Sequence, residues 1–186
     1  MSLLPPRVGV YNGVAVRDIP FTERNDHHPD HKQVLVDAVQ KFVGDGDDVV
    51  SVGGGRGVVE THAARQGATV LAFEAAQEKV DILRETARLN DVPVTASWAQ
   101  VGGAYDIYGT ADGVRHLPPG ELRGNVLLLD CEGAEADILP RPEFETVIVE
   151  THPRFGASTD DVLELLDGDA EIYGPDPVDG DVVVRT

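Results

Sequence analysis

Residues 49–57 read VVSVGGGRG, an apolar run that breaks into a glycine-rich turn. Residues 126–135 read VLLLDCEGAE, a second apolar run that ends in a cluster of acidic residues. In a parallel α/β sheet, ligands bind just outside the carboxyl ends of the strands. Because both stretches place their unusual residues at that edge, we expect the binding site there.

Apolar segments of strand length alternate with segments of helical periodicity along most of the chain. Strands are predicted over 48–52, 69–73, 93–97, 126–130 and 146–150, with a weaker candidate at 104–108. Helices are predicted over 31–43, 57–66, 77–89, 134–139 and 159–166. Since the strands are nearly all apolar, we predict a Rossmann-like α/β fold, with a mostly parallel sheet and helices on both faces. Two late strands, 170–173 and 181–185, would add an antiparallel C-terminal edge.

The chain of 186 residues is expected to be one domain, because we see no internal repeat and no low-complexity segment. Residues 1–30 are predicted to form a hairpin around Asn12-Gly13 and a polar loop, and residues 31–186 the α/β core. His27, His28 and His31 give the spacing HHxxH. We interpret this motif as a polar loop or helix start, because it has no second set of metal ligands.

The acidic residues are dispersed over the chain, which has a net charge of −18 and only three lysines among its 15 basic residues. Molar salt screens such self-repulsion, so the composition predicts a halophilic protein of haloarchaeal type. The alternative is an acidic protein that binds a basic partner. Because a negative surface repels phosphate backbones, nucleic acid is expected to be an unlikely partner.

Three features predict a soluble, cytoplasmic protein. No run of about 18 apolar residues predicts a membrane span, and the start, MSLLPPRVGV, is a poor signal peptide. The single cysteine, Cys131, cannot form an internal disulfide, which agrees with a reducing compartment. By strand alternation we expect the Cys131 side chain to point into the core.

The glycine-rich turn contains Gly53, Gly54, Gly55 and Gly57. Glycine lets the backbone turn sharply and lets a ligand approach it closely. The dinucleotide fingerprint requires glycine or alanine at the position that Val58 occupies, so the spacing favours a methyltransferase-type cofactor turn over an NAD site. The alternative is a purely structural turn. A P-loop is excluded, because no Gly-Lys-Ser/Thr follows the glycines.

Two residues at the ends of the next strands are candidate cofactor ligands. Glu74 lies 17 residues after Gly57, where an acid can accept the ribose hydroxyl protons of a nucleoside; the alternative is a solvated acid. Trp98 follows the third strand and could stack on adenine, or it could be an ordinary core aromatic.

The candidate catalytic residues follow the fourth and fifth strands, which are neighbours in a 3-2-1-4-5 sheet. His152 is the first candidate for a general base, because its ordinary pKa lies near neutrality. Glu132 is a candidate to orient the substrate or to bind the amino group of a cofactor. Asp130 and Glu150 complete the set. The alternatives are a histidine bonded to the backbone and a glutamate bonded to its own turn.

A divalent metal could also be held here through oxygen and nitrogen ligands from Glu132, Glu135, Glu150 and His152. Clusters of carboxylates and histidine also occur as simple hydrogen-bond networks. We therefore expect no metal here.

Two of these stretches resemble the FkbM family of S-adenosylmethionine (SAM)-dependent methyltransferases. LDCEGAE at 129–135 is close to the family signature Asp-x-Glu-Gly-x-Glu, and VIVETHP at 147–153 is similar to its Glu-x-His-Pro ending. The Gly-Asp pair at 46–47 and Asn90 also fit, so the resemblance covers about residues 40–155. It implies the seven-stranded methyltransferase fold, SAM as the cofactor, Asp130 among its contacts, and methyl transfer to a hydroxyl oxygen. We expect a small or carbohydrate-like acceptor molecule.

The chain departs from the pattern at Ser51, where many methyltransferases carry an acid two residues before the first glycine. The substitution removes one polar contact near the amino acid part of the cofactor. With the short region after the fifth strand, it slightly favours the alternative function, a non-catalytic binding or assembly module. The intact Glu132, Glu150 and His152 argue against that alternative. An NAD-dependent oxidoreductase is disfavoured by Val58 and by the absence of a Tyr-x-x-x-Lys pair. The last strand could pair with a second chain, so an oligomer is a further expectation.

Overall fold

The computed structural model describes residues 7–18, 27–103, 110–141, 143–175 and 180–186. The strands in these ranges are β1 (Arg7–Tyr11), β2 (Val14–Asp18), β3 (His27–His28), β4 (Asp48–Val52), β5 (Thr69–Glu74), β6 (Val94–Val101), β7 (Arg115–Leu117), β8 (Val126–Leu129), β9 (Thr146–Glu150), β10 (Ala170–Tyr173) and β11 (Val182–Arg185). The α-helices are α1 (Gln33–Phe42), α2 (Val58–Arg65), α3 (Gln77–Leu89), α4 (Glu135–Ile138) and α5 (Thr159–Leu165).

Eight of these strands form one sheet in the order β10-β11-β9-β8-β4-β5-β6-β7. The strands from β9 across to β7 are parallel, and β11 and β10 continue the sheet in antiparallel fashion. The run β6-β5-β4-β8-β9 is the predicted 3-2-1-4-5 order. The predicted α/β fold with an antiparallel C-terminal edge is therefore confirmed.

Both faces of the sheet are buried, which explains why the central strands are almost wholly apolar. Val49 faces a cluster that contains Leu35 and Val36 of α1 and Ala63 of α2. Its neighbour Val50 faces the opposite cluster, which α4 and α5 help to form. Alternate residues of a strand point to opposite faces, so each strand serves both layers. This arrangement leaves the carboxyl ends of the strands as the open edge for a ligand.

The predicted N-terminal hairpin is present. β1 and β2 pair in antiparallel register around Asn12 and Gly13, whose φ angles of 46° and 73° are both left-handed, as a two-residue hairpin turn requires. β3 adds to β1 in parallel. Tyr11 and Val14 of the hairpin pack against Val58 at the start of α2, so the hairpin lies against the helices and outside the main sheet.

The edges of the sheet differ from the prediction. Residues 115–117 form β7 beside β6, although three residues without a clear apolar pattern gave no strand signal. β11 has partners on both sides, β10 and β9. The expectation that the last strand offers an edge to a second chain is wrong. The weak strand candidate at 104–108 lies outside the described residues.

Within the described part of the chain, no helix combines the length and apolar character that crossing a membrane requires. Cys131 is buried, as predicted. Burial and the neighbouring carboxylates, Glu135 first among them, raise the pKa of its thiol well above the ordinary value. The thiol is therefore a small apolar core group.

Candidate functional site

Three of the four predicted cofactor glycines are needed for close packing. A Cβ on Gly53 would lie 1.8 Å from the backbone oxygen of Asp130, and a Cβ on Gly54 would lie 2.5 Å from Cδ1 of Leu83. A Cβ on Gly57 would lie 3.0 Å from Cγ of Leu83, at a left-handed φ of 79°. These glycines bring the turn against β8 and α3, whatever ligand is bound.

Gly55 is different, because it faces open space. Its φ is 50°, and the nearest atom to an added Cβ is the Gly53 oxygen at 3.8 Å. The Gly55 N–H donates to Oε2 of Glu74 at 3.0 Å, and Oε1 of Glu74 accepts from the Ala76 N–H at 2.8 Å. Burial raises the pKa of Glu74. We call Gly55 and Glu74 the cradle, since they form an open concave surface. The Glu74 carboxylate still has lone pairs that can accept hydrogen bonds from a ligand.

Trp98 lies at the same edge of the sheet, because it pairs in register with Glu74 across β5 and β6. Its indole N–H donates to the Ala75 oxygen at 2.9 Å. This bond fixes the ring beside the cradle. The predicted contact of Trp98 with adenine stays a prediction.

Glu60 is a site residue that the sequence did not predict. Ser51 Oγ donates to Glu60 Oε1 at 2.6 Å, and a Cβ on Gly54 would lie 3.5 Å from the same oxygen. Burial raises the pKa of Glu60 to about 7, and the charges of Asp130 and Glu74 add to the effect. The carboxyl group of Glu60 therefore lies beside Ser51, the strand position at which many methyltransferases carry an acid. The available signal was a glutamate inside an otherwise apolar stretch of helix.

The predicted catalytic residues converge at the ends of β8 and β9. Glu150 is fully buried and His152 is 4% exposed. The His152 Nδ1 atom lies 2.7 Å from Oε1 of Glu135, a buried carboxylate that also accepts from the backbone N–H groups of Cys131 and Gly133. We assign the Nδ1 proton to this bond, because Glu135 is already an acceptor for two donors.

The other ring nitrogen of His152 faces the remaining carboxylates. Nε2 lies 3.4 Å from Oδ1 of Asp130 and 3.5 Å from Oε2 of Glu150, without the alignment of a hydrogen bond. Glu132 stands further out, with Oε2 at 3.8 Å from Nε2, a side chain 33% exposed and a left-handed φ of 54°. Four carboxylates therefore surround one imidazole.

A second missed residue, Lys32, enters this cluster from the N-cap position of α1. Its Nζ atom lies 3.0 Å from Oδ2 of Asp130 and also contacts Oε2 of Glu150. The Lys32 side chain is 14% exposed, and its backbone is left-handed, with a φ of 56°. One of the three lysines of the chain is thus held inside the candidate catalytic cluster.

The pKa values of Glu150, Asp130 and His152 are all shifted in this cluster. Burial raises the pKa of Glu150 to about 8, and the charge of Asp130 adds to this shift. Burial also opposes ionisation of Asp130, but the charge of Lys32 and the contacts with His152 and Glu150 together outweigh burial and hold the Asp130 pKa below its ordinary value. Burial lowers the pKa of His152, but its carboxylate contacts outweigh burial and raise that pKa to about 12.

Two buried atoms in the cluster have no hydrogen-bond partner among the described residues: Oε1 of Glu150 and Nε2 of His152. Ligand atoms of Asp130, Glu150 and His152 all lie within 4.8 Å of one another. Their chemistry suits either a divalent cation or an ammonium group. Lys32 supplies an ammonium group at this point.

The cradle and the cluster are neighbours. Asp130 belongs to both, because its backbone touches Gly53 while its carboxylate faces Lys32 and His152. A ligand in the cradle and a second molecule at the cluster would therefore meet at the carboxyl end of β8. Of the HHxxH motif, the structure describes the side chain of His31, which packs edge-on against Tyr11.

Comparisons with solved structures identify the fold. The chain superimposes on a Thermus thermophilus 16S rRNA N2 G1207 methyltransferase, solved with AdoMet and guanosine, with a TM-score of 0.62 and 16% identity over 99% of this chain and 50% of that one. A Pyrococcus abyssi tRNA (uracil-54, C5)-methyltransferase, solved with S-adenosyl-L-homocysteine, gives 0.61 and 14% over 95% and 42%. The chain has the SAM-dependent methyltransferase fold.

Sequence comparison also finds methyltransferases, over a shorter part of the chain. The ribosomal protein L11 methyltransferases of Thermotoga petrophila and Thermotoga maritima are 32% identical to this chain over 74 residues, 37% of its length. The chain spans 28% of the length of these relatives. No protein-family model matches the chain. The comparisons support the predicted cofactor, SAM.

One set of expectations is corrected by these comparisons. We expected a small hydroxyl-bearing acceptor and regarded nucleic acid as an unlikely partner. The similar proteins are named for tRNA, rRNA or a ribosomal protein, so this prediction of the partners is wrong. Its premise was the total charge, which describes the whole surface and not the acceptor site.

Proposed function

We propose that this protein transfers a methyl group from SAM to a macromolecular acceptor. The observation that carries the proposal is the open cradle of Gly55 and Glu74 beside Asp130, at the carboxyl ends of β4, β5 and β8. Ligands bind at this edge in doubly wound α/β folds. SAM, when bound, supplies a methyl group activated by its sulfonium charge.

The cradle side of the site would hold the cofactor. Glu74 would accept the ribose hydroxyl protons, while the open backbone at Gly55 lets the ligand approach closely. Trp98, fixed by its bond to Ala75, would contact the adenine. Glu60 would face the ammonium group of the cofactor, in place of the acid that Ser51 replaces. Carboxylates on this side suit a ligand that carries two positive charges.

The cluster side would handle the acceptor. We expected His152 to be the general base, but the carboxylates around it favour its protonated form. Glu150, whose raised pKa of about 8 lies near neutrality, is the better proton acceptor. His152 would then orient Glu150 and Asp130 through charge, with its ring held by Glu135. Glu132, at the rim of the cluster, would contact the incoming substrate.

The acceptor would belong to a protein, on two grounds. The relatives with the higher sequence identity are named for a ribosomal protein, and the carboxylates of Asp130, Glu132 and Glu150 on the acceptor side of the site favour a basic protein. RNA, named for the two solved structures, is the other class to be tested. The FkbM resemblance favours an oxygen acceptor. The proposal includes a cytoplasmic location and a halophilic source.

Transfer of labelled methyl groups tests the function. The full chain is incubated with methyl-labelled SAM and either a basic ribosomal protein fraction or protein-free rRNA, in KCl concentrations from 0.2 to roughly 2 M that span weak to strong screening. Label in protein supports the proposal, and label in rRNA alone moves the acceptor class to RNA. Cofactor binding without transfer to either class would favour the non-catalytic module.

A further inference from the structure

We propose that the pocket formed by Asp130, Glu150 and His152 binds the primary ammonium group of a lysine side chain on a partner protein, and that Lys32 occupies this pocket in the free chain. The proposal rests on the proposed function, since it names the acceptor for the same site. It makes the accepting atom a nitrogen, in place of the oxygen that the FkbM resemblance favours.

The first ground is the ammonium group that the pocket holds. Lys32 reaches the carboxylate of Asp130, which directly follows β8, and that of Glu150 at the end of β9, with a side chain only 14% exposed. Buried charges require such pairing. The pocket therefore already has the donor–acceptor geometry for a primary ammonium group.

The second ground is spare capacity for a cation. Oε1 of Glu150 is fully buried and has no hydrogen-bond partner among the described residues, although an unpaired buried carboxylate oxygen is costly. The single imidazole of His152 is also surrounded by four carboxylates, which belong to Asp130, Glu132, Glu135 and Glu150. A cation with three N–H donors matches both features.

The third ground is the way in which Lys32 is held. Its φ of 56° is left-handed, which costs a lysine roughly 1 kcal/mol. The turn before it is tied to the hairpin, since Asn12 Nδ2 donates to the His31 oxygen at 3.4 Å and to Gln33 Oε1 at 3.0 Å. Backbone strain of this kind collects at functional sites. Because of this strain, a partner lysine that binds without strain can displace Lys32 from the pocket.

The chemistry of the step balances. The bound ammonium group passes one proton to the Glu150 carboxylate, and the freed lone pair forms a bond to the methyl carbon as the sulfur–methyl bond breaks. The products are a methylated amine and S-adenosylhomocysteine, and the proton leaves Glu150 to water. No oxidant or metal is required.

Calorimetry without SAM tests the binding step. The probes are N-acetyl-lysine methylamide and its norleucine counterpart, which lacks the amine, at the lowest KCl concentration at which the protein stays folded. Lys32→Met should bind the lysine probe at least tenfold more tightly than the wild type, because the competing ammonium group is gone. Neither protein should bind the norleucine probe. Lys41→Met, at an exposed lysine that contacts Tyr173, should match the wild type.

Labelling of the wild type gives a second readout that needs no variant. Acetic anhydride should modify Lys32 at least tenfold more slowly than the exposed Lys41, as measured by mass spectrometry of peptides. Equal rates would overturn the occupancy of the pocket by Lys32.

Three results would overturn the inference. In the first, the wild type and a folded Lys32→Met bind the lysine probe equally. In the second, both probes bind equally. In the third, Mn²⁺ binds to Lys32→Met and excludes the lysine probe. SAM binding is measured separately. If SAM binds and the lysine probe does not, the proposed function stands without this acceptor; if SAM does not bind, the proposed function itself fails.

Discussion

Ser51 Oγ donates a hydrogen bond to Oε1 of Glu60 at 2.6 Å, so α2 delivers a buried carboxyl group to the end of β4. This side chain stands beside the position at which many methyltransferases carry an acid on the strand itself. Burial raises its pKa to about 7. The relationship links the stability of the chain, and its affinity for a cationic cofactor, to pH.

Glu60→Gln should remove one pH dependence of stability. The folded pKa of about 7 exceeds the ordinary value of 4.5, so the stability from neutral Glu60 is fully present below pH 4.5 and is lost as pH rises through 7. By pH 8 the wild type should have lost roughly 3 kcal/mol relative to the variant. Urea unfolding between pH 5 and pH 8 measures the difference, with the exposed Glu164→Gln as the control. A difference that does not change with pH would contradict the assignment.

The same carboxyl should make SAM binding depend on pH. Ionised Glu60 attracts a cationic ligand, so the wild-type affinity should rise by about tenfold as pH increases through 7. Glu60→Gln should bind more weakly, with no such rise. Calorimetric titrations at pH 6 and pH 8 provide the measurement. Parallel profiles for the two proteins would show that Glu60 does not face the cofactor.

Glu135→Gln should destabilise the fold and leave the cradle intact. Glu135 is fully buried and holds Nδ1 of His152 at 2.7 Å, and breaking a buried ion pair costs about 3 kcal/mol. SAM binding by the folded variant should equal that of the wild type. Urea unfolding at pH 7 checks the first part, with Glu143→Gln, an exposed partner of Arg141, as the control. A stability within about 0.5 kcal/mol of the wild type would count against the bond.

Salt should stabilise the chain. With a net charge of −18, the free energy of unfolding should rise by several kcal/mol between 0.1 M and 2 M KCl, where the screening length falls from about 10 Å to below 3 Å. A variant with Glu164→Gln, Asp167→Asn and Asp169→Asn, three exposed positions, should show a smaller dependence. If both proteins are equally stable at both salt concentrations, the halophilic interpretation is wrong.

Ser158→Ala should cost about 1 kcal/mol. Ser158 caps α5, accepting from the Asp161 N–H at 3.2 Å while the Asp161 carboxylate accepts from the Ser158 N–H at 3.1 Å. Asp160→Asn lies in the same turn but outside this capping box, so it should change the free energy of unfolding by only about 0.3 kcal/mol. Thermal unfolding compares the two variants. A similar loss in both would contradict the role of the cap.

The sequence predicted the parts of the fold that depend on local pattern. The strands of the sheet centre read as apolar runs, and Asn12-Gly13 read as a hairpin turn, because backbone geometry and burial dictate those residues directly. β7 could not be predicted, since its pairing with β6 comes from tertiary contact. The antiparallel edge pair was predicted, but the position of β11 between β9 and β10 was missed, because the order of edge strands leaves no mark on the strand itself.

The site residues could be predicted only where a polar side chain lies at the carboxyl end of a strand. Asp130 and Glu150 end neighbouring strands, so their meeting with His152 follows from topology. Lys32 and Glu60 reach the site from the N-cap of α1 and the first turn of α2, and nothing along the chain relates these positions to the strand ends. Their contacts depend on how the helices pack on the sheet.

The measurement that tests the central claim most directly is calorimetric binding of SAM at roughly 2 M KCl, where charge repulsion is screened. We predict a Kd on the order of micromolar for the wild type. Glu74→Ala should weaken binding at least tenfold, because it removes the carboxylate of the cradle, whereas Glu143→Ala should bind like the wild type. Folded wild-type protein that releases no heat with SAM would contradict the account.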